Sequence, residues 1–121
     1  MSKSILVVED DEDIARNIAL LLTDEGYSVT SAANGRCAFD YLQSAKTLPS
    51  LILLDLMMPV MDGFQFREEQ RIHPRFSIIP VVVMTADGQF QIKKLTASVR
   101  AFVKKPVDID MFLEVVQECC L

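Results

Sequence analysis

The stretch Leu51 to Gly63, which reads LILLDLMMPVMDG, constrains the fold of this 121-residue chain more than any other. Four apolar residues run without interruption into Asp55, and the pattern then breaks at Pro59, Asp62 and Gly63. A strand that is apolar at every position is typical of a parallel sheet covered on both faces. A carboxylate that ends such a strand avoids a large desolvation cost only in the crevice beyond the strand's carboxyl end. Asp55 is therefore predicted to lie at that edge of a sheet.

Short apolar runs alternate with helical patterns along the rest of the chain. The spacing predicts strands over 5–8, 27–32, 51–55, 78–84 and 101–103, helices over 12–25, 36–45, 64–72 and 88–98, and a final helix that begins at Asp108 or Asp110. The buried stripe of the final helix is predicted to consist of Met111, Phe112, Val115 and Val116. Five strands alternating with five helices predict one domain over 1–121, an α/β doubly wound parallel sheet.

The apolar content of the strands predicts their order in the sheet. The first, third and fourth strands have the longest unbroken apolar runs, so they are expected at the centre, with the second and fifth at the edges. This is the order 2-1-3-4-5 of the flavodoxin-like class, in which ligands bind in the crevice between the first and third strands.

Charge and cysteine content exclude several classes of partner. The net charge of -5 and the lack of a dense Lys or Arg stripe argue against direct binding of nucleic acid. No apolar run approaches the ~20 residues needed to cross a bilayer, so we expect no membrane partner and a cytoplasmic protein. The three cysteines are an odd number, and Cys119 and Cys120 are adjacent, where bridging to each other would be strained. They are interpreted as buried apolar residues in a reducing compartment.

Carboxylates follow two strands that are neighbours in the predicted order. Glu9 and Asp10 follow the first strand, and Asp55 ends the third. At ~4 Å and an effective dielectric constant of about 20, each close pair of like charges costs on the order of 4 kcal/mol, too much for a cluster kept for stability alone. Lys105, in the loop after the fifth strand, supplies one positive charge against these three negative charges. Ligands that are all oxygen, with open positions for water and phosphate, favour Mg²⁺, for which Mn²⁺ could substitute, over Ca²⁺.

A divalent cation beside a carboxylate, a lysine and a threonine hydroxyl is the set of groups that phosphoryl transfer requires. In this arrangement Asp55 attacks in line as the nucleophile and becomes an aspartyl phosphate. Thr85 and the backbone amide of Ala86 would bind phosphoryl oxygens, and Lys105 would neutralise their charge. The residues predict a protein that accepts a phosphoryl group on itself, with autodephosphorylation, and not a turnover enzyme for external substrates. Taken alone, Asp55 could equally be a solvated carboxylate that opens a loop.

Four segments, in this order, resemble the receiver domains of two-component response regulators. ILVVED carries an acidic pair, LILLDLMMPVMDG a phosphoacceptor, VVVMTA a switch threonine, and FVKKP a lysine followed by proline. The resemblance implies that a sensor histidine kinase or a histidine phosphotransfer protein donates the phosphoryl group to Asp55. It also implies control of an unidentified downstream protein, and we expect no output domain within this chain.

Position within these motifs assigns the remaining roles. The resemblance implies that Asp10 is a direct Mg²⁺ ligand, that Glu9 acts on the metal mainly through water, and that Met57 offers its backbone carbonyl. Thr85 and Lys105 are assigned to contacts with the phosphoryl group.

Phe102, three positions before Lys105, occupies the place of the family's rotameric switch aromatic. The resemblance implies that phosphorylation, which adds roughly -1.5 to -2 charges, draws Thr85 toward the phosphoryl group and turns Phe102 inward. This population shift would reshape the face made by the predicted helix over 88–98, the fifth strand and the final helix, through which a homodimer would also form. From the residues alone, Phe102 is equally an ordinary aromatic of an edge strand.

Two nearby residues are given structural roles. Asp11 is interpreted as a cap or favourable charge at the start of the first helix, and His73, the only histidine, as a loop residue and not a metal ligand or phosphocarrier. The alternative function is a phosphorylation-independent binding module with the same fold. A flavin-binding or hydrolytic enzyme is disfavoured because the loop after the first strand is acidic, where a cofactor phosphate would need glycine-rich, electropositive backbone.

Overall fold

The computed structural model describes residues 3–56, 60–85, 99–105 and 108–120. The strands are β1 (Ser4–Val8), β2 (Ser28–Ala32), β3 (Leu51–Asp55), β4 (Val81–Thr85) and β5 (Ala101–Lys104). The helices are α1 (Glu12–Asp24), α2 (Gly35–Ser44), α3 (Gly63–Ile72) and α4 (Ile109–Cys119). Each corresponds to a predicted element, and the helix predicted over 88–98 lies outside the described residues.

The five strands form one sheet in the order β2-β1-β3-β4-β5, and all of the neighbouring strands are parallel. The predicted doubly wound fold and strand order are therefore confirmed. Every residue of β3 and β4 is buried, whereas β2 and β5 each include partly or fully exposed residues. The unbroken apolar strands are central because only a strand covered on both faces gains free energy from apolar residues at every position.

Successive residues of each strand point to opposite faces of the sheet and build two cores. On one face, Ile18 and Leu22 of α1 and Phe112 and Val116 of α4 pack against the strands. On the other face, residues of α2 and α3, including Ala38, Leu42 and Phe66, pack against the alternate strand positions. Helices on both faces leave the two ends of the strands accessible, and Asp55 lies at the carboxyl ends.

Side-chain caps fix where the helices begin. Oδ1 of Asp11 accepts the backbone N–H groups of Asp13 and Ile14, which confirms Asp11 as the cap of α1. Asp108 caps α4 by accepting the N–H of Met111, so Asp108 is the residue at which the final helix starts. Each cap satisfies backbone donors that the first turn of a helix leaves unpaired.

β4 begins later than predicted. Ile78 was predicted to start this strand, but it is 67% exposed and the strand begins at Val81. The preceding residues instead form turns, in which Ser77 N–H donates to His73 O at 3.0 Å. Pro80, which has no N–H to donate to a neighbouring strand, marks the boundary between these turns and the sheet.

Two side chains predicted to be buried are exposed. Met111 is 63% exposed, because one residue of helix turns it about 100° away from Phe112, which faces the core. Cys37 lies on the outer surface of α2 and is exposed, and Cys119 and Cys120 are half-buried; all three are free thiols. No helix within the described ranges has the length and apolar composition that a membrane span requires.

Candidate functional site

The structure brings the three predicted acidic side chains together at the carboxyl ends of β1 and β3. Val8 lies opposite Leu54 in the parallel register, so Glu9 and Asp55, the next residue on each chain segment, are neighbours. Glu9, Asp10 and Asp55 each contribute a carboxylate oxygen to a set of atoms that all lie within 4.8 Å of one another. A like-charge cluster this compact requires positive charge close by.

Glu9 and Asp10 have different environments although they are adjacent in sequence. Glu9 is buried, and both of its carboxylate oxygens are engaged. Its Oε1 lies 2.5 Å from Lys105 Nζ, and its Oε2 accepts the backbone N–H of Asp11 at 3.2 Å. Asp10 is exposed. The Asp10 carboxylate is therefore directed to solvent, while the Glu9 carboxylate is held by protein groups.

Lys105 reaches the crevice from the end of β5. Its Nζ lies 3.5 Å from Asp55 Oδ1 in addition to its contact with Glu9. Its backbone N–H donates to Thr85 O at 2.9 Å, which fixes the residue beside the end of β4. Burial alone would lower the pKa of Lys105, but the hydrogen bond to Glu9 and the charges of Asp55 and Glu9 outweigh burial and raise this pKa above its usual value. The ammonium group therefore stays charged at neutral pH.

The charges and donor atoms of the crevice fit a hard divalent cation. Three carboxylates against one ammonium leave two negative charges uncompensated among these four groups. Carboxylate oxygens are the ligands that Mg²⁺ prefers, usually with water in its remaining positions. Glu9, Asp10 and Asp55 are the described residues that could hold such an ion, and Met57, predicted to add a backbone carbonyl, lies outside the described residues.

Thr85 completes the described part of the crevice. It is the last residue of β4 and is buried, and Asp55 lies opposite the preceding residue, Met84, in the register of β3 and β4. Its hydroxyl is therefore carried on the strand next to Asp55. Ala86, predicted to offer a backbone amide, lies outside the described residues.

Gly63 supports the end of β3 through a close approach that sequence reasoning missed. Its N–H donates to Leu56 O at 3.0 Å. A Cβ atom at this position would lie 2.5 Å from the carbonyl oxygen of Asp55 and 2.7 Å from Leu56 Cα, where no side chain fits. The first residue of α3 is thus packed directly on the backbone that carries the Asp55 carboxylate. The Asp-Gly pair at 62–63 was interpreted only as a break in the pattern, although glycine in that position also permits such packing.

The loop between β3 and α3 is also fixed from the side of α2. Gly35 N–H donates to Met61 O at 2.9 Å, and a Cβ on Gly35 would lie 2.8 Å from both Met61 O and Met61 Cγ. Between these contacts, Val60 has a φ of 70°, in the left-handed region that a β-branched residue rarely adopts. The contact of Met61 with Gly35 therefore holds the neighbouring Val60 in a conformation that costs free energy.

The remaining candidates lie away from the carboxylates. Phe102, on β5 opposite Val83, is partly buried and packs against the core on the α2 and α3 side of the sheet. Nδ1 of His73 accepts the backbone N–H groups of Arg75 and Phe76, and its ring stacks on Phe76 at 3.8 Å between centroids. His73 thus has the structural role that its position in the sequence suggested.

Comparison with known proteins gives one consistent family. The model of the response regulator receiver domain matches residues 5–117. Response regulator Rre1 of Synechocystis sp. is 39% identical over 110 residues, which cover 88% of this chain and 47% of that protein. Response regulator PleD of Caulobacter vibrioides is 42% identical over 110 residues, which cover 89% of this chain and 24% of PleD. The chain therefore spans about half the length of one of these relatives and about a quarter of the other.

Comparison of the fold with solved structures agrees with the sequence comparison. The chemotaxis protein CheY4 of Vibrio cholerae superposes with a TM-score of 0.88 at 28% sequence identity, over 98% of this chain and 99% of that chain. The likeness therefore covers the whole sheet and its helices as well as the short motifs at the strand ends.

Proposed function

Because the chain belongs to the response regulator receiver domains, we propose that it is a phosphorylation-dependent signalling switch whose phosphoacceptor is Asp55. Receiver domains are signalling switches and not turnover enzymes for external substrates, and histidine kinases phosphorylate them. The observation that carries the assignment to Asp55 is its position at the tip of β3, within one crevice with two other carboxylates and 3.5 Å from the Lys105 ammonium.

The proposed reaction transfers a phosphoryl group between two side chains. A carboxylate oxygen of Asp55 attacks phosphorus in line, the P–N bond of a phosphohistidine on the donor breaks, and the imidazole leaves and takes up a proton. The product is an aspartyl phosphate, which water later hydrolyses. The chain contributes the nucleophile and its surroundings, since positioning and electrostatic stabilisation supply most of the rate in such reactions.

Each of the surrounding groups has a proposed part. Lys105 neutralises one phosphoryl oxygen, and the Thr85 hydroxyl and the Ala86 amide donate hydrogen bonds to others. This assignment is supported by the reach of Lys105 from β5 to Asp55 and by the position of Thr85 on the neighbouring strand. The charge that these donors oppose is the charge that develops during transfer, so their effect is largest in the transition state.

Receiver domains bind Mg²⁺ at an acidic pocket, and the crevice of this chain has the donor set for it. We assign Asp10 and Asp55 as direct ligands, the Met57 carbonyl as a third, and Glu9 as a residue that acts through water, with Mn²⁺ as a substitute metal. When bound, such an ion offsets negative charge on the carboxylates and the incoming phosphoryl group. The engagement of both Glu9 oxygens by Lys105 and the Asp11 amide supports the indirect role of Glu9.

Output is proposed to follow a population shift between two conformations. Phosphorylation adds charge beside Thr85, Thr85 moves toward it, and Phe102 turns inward. The face that changes is made by the segment over 88–98, β5 and α4, and it binds an unidentified downstream protein or a second copy of this chain. The partial burial of Phe102, which packs against the core from the edge strand, supports this role.

The phosphate donor is proposed to be a sensor histidine kinase or a histidine phosphotransfer protein, and no direct binding of nucleic acid or membrane is proposed. The cytoplasmic location stays a prediction from the sequence.

Intact-mass measurement after incubation with Mg²⁺ and acetyl phosphate tests the assignment. We expect the mass to rise by one phosphoryl group, and to fail to rise when EDTA replaces Mg²⁺ or in Asp55→Asn. Asp40→Asn is the matched control, because Asp40 is an exposed carboxylate on α2 that pairs with Arg36, far from the crevice. An adduct that persists in Asp55→Asn contradicts the assignment of Asp55. No adduct on the unmodified chain favours the phosphorylation-independent binding module instead.

A further inference from the structure

A second recess lies at the amino end of β4, at the opposite end of the sheet from Asp55. Its volume is about 270 Å³, and it lies between α3, the turns that precede β4, and the entry to β5. Arg67 of α3, Ser77 of the turns and Arg100 before β5 are among the residues that line it, together with Pro80, Val81 and Val99. None of the described residues that line the recess is acidic. Two guanidinium groups from different elements therefore border one recess in a chain whose net charge is -5.

A buried hydrogen-bond network orients Arg67 at this recess. Nη1 of Arg67 donates to Gln70 Oε1 at 3.1 Å, and Gln70 is completely buried. Nε2 of Gln70 donates to the carbonyl oxygens of Phe76 and Ile79, each at 3.0 Å. Gln70 cannot rotate without breaking these bonds, so the guanidinium group that it contacts is held in place before any ligand arrives. A binding group that is already ordered loses less conformational entropy when it binds.

The electrostatic environment of Arg67 favours an anion. Burial and the charge of Arg71 lower the pKa of the Arg67 guanidinium, and Glu68 offsets this only in part. Glu68 itself forms an ion pair with Arg71 on the surface of α3. Negative charge placed in the recess would oppose the effects of burial and of Arg71 on this guanidinium group.

We propose that this recess binds a phosphate group, as free inorganic phosphate or as the terminal phosphate of a small phosphomonoester. Arg67 and Arg100 pair with the phosphate oxygens from two sides, and the Ser77 hydroxyl donates a further hydrogen bond. Guanidinium groups match phosphate oxygens in geometry, and charge-assisted bonds of this type are stronger than neutral ones. A phosphate group offers more than two oxygens and carries up to two negative charges, so it can contact both guanidinium groups at once, which a carboxylate does less well. The site is independent of the Asp55 crevice, and its ligand binds without covalent change.

Two-dimensional ¹H–¹⁵N NMR of the full chain tests the proposal. Sodium phosphate, glycerol 3-phosphate and sodium acetate are added separately in Mg²⁺-free buffer, with chloride used to keep the ionic strength constant. We expect both phosphate compounds to shift the amides of Ser77, Ile78 and Arg100 in a saturable manner, while the amide of Glu9 at the opposite edge reports separately on any binding there. The compound with the higher affinity identifies free phosphate or a phosphomonoester as the source.

Charge-removing variants locate the site. Arg100→Gln and Arg67→Gln are each expected to weaken the affinity about tenfold, and the exposed Arg36→Gln on α2 is the matched control, with an affinity within about twofold of the unmodified chain. Arg100 is exposed, so Arg100→Gln keeps the fold even if Arg67→Gln disturbs the Gln70 network. The proposal is overturned if neither phosphate compound shifts the recess amides, if acetate binds as tightly as phosphate, or if the response survives in Arg100→Gln.

Discussion

Val60 has a backbone conformation that its own side chain disfavours, because a β-branched residue rarely adopts a positive φ. Its φ of 70° is the only positive value at a described residue other than glycine, and its side chain is 80% exposed, so no burial of the valine compensates for this conformation. The contact that holds the next residue, Met61, comes from Gly35 of α2, a neighbouring element. The strain is therefore a consequence of how the residues just before α3 pack against α2, and it lies beside the proposed functional site.

Val60→Asn is expected to stabilise the domain by about 1 kcal/mol, because asparagine tolerates the left-handed region better than a β-branched residue does. Urea denaturation followed by circular dichroism measures the free energy of unfolding. Val60→Thr keeps the branched Cβ and is the control, with a stability close to that of the unmodified chain. Equal stability of the two variants would show that the backbone at this position carries no strain.

The three cysteines differ in exposure and are expected to differ in reactivity. Burial raises the pKa of the Cys119 and Cys120 thiols, so at pH 8 less of each is the reactive thiolate. Cys37 is exposed on α2. Labelling with iodoacetamide, located by peptide mass mapping, is expected to modify Cys37 roughly tenfold faster than the other two. In urea the three rates should converge, and equal rates in the folded protein would contradict the burial of the terminal pair.

At the scale of elements, helix boundaries follow from short-range chemistry. Asp11, Asn34, Asp62 and Asp108 each cap a helix through a side-chain oxygen that accepts a backbone N–H two or three residues ahead. Such caps depend on residues close together in sequence, which is why the beginnings of the helices were predicted to within a residue or two. The start of β4 was placed wrongly because the turns before it are held by Gln70 of α3, six and nine residues before the carbonyl groups that it bonds, which is beyond the reach of a helix cap.

Gln70→Leu tests whether the hydrogen bonds of Gln70 hold the turns against α3. Gln70 is completely buried and donates to the carbonyl oxygens of Phe76 and Ile79, so its replacement removes two buried hydrogen bonds and should cost about 2 to 3 kcal/mol of unfolding free energy. Gln43→Leu, at an exposed position of α2, is the matched control and should change stability by less than about 0.5 kcal/mol. Urea denaturation measures the free energy of unfolding of both variants. Similar values for the two would show that the Gln70 hydrogen bonds do not stabilise the turns.

At the scale of the whole molecule, the sheet separates two cores, and each of the four described helices packs against one of them. α1 and α4 share one core, and α2 and α3 share the other. The strands between these cores are parallel and in register. For that reason the carboxylates that follow β1, the carboxylate that ends β3 and the lysine that follows β5 lie in one crevice. The geometry of the crevice thus depends on the packing of both faces of the sheet.

Phe112→Ala and Met111→Ala compare neighbouring positions of α4. Phe112 is completely buried in its core, so removal of its ring should cost about 3 to 5 kcal/mol. Met111 is 63% exposed, so its replacement by alanine should lower the free energy of unfolding by no more than about 0.5 kcal/mol. Thermal unfolding and urea denaturation measure both variants. A large loss of stability in Met111→Ala would instead support the sequence prediction that Met111 belongs to the buried stripe.

The sequence by itself determined the fold class, the strand order and the edge of the sheet at which chemistry is placed. Unbroken apolar runs that end in acid, at Val8 and Leu54, specify central parallel strands, and parallel strands necessarily end at one edge. These signals lie within single segments, so a pattern of a few residues is enough to show them.

Only the tertiary structure decided which groups touch. Three features of the structure join residues from separate elements. Lys105 pairs with Glu9, and Gly63 approaches the Asp55 backbone. Arg67 and Arg100 border one recess. Such distances follow from how helices and strands pack, and packing depends on the shape of the whole core more than on the spacing of residues along the chain.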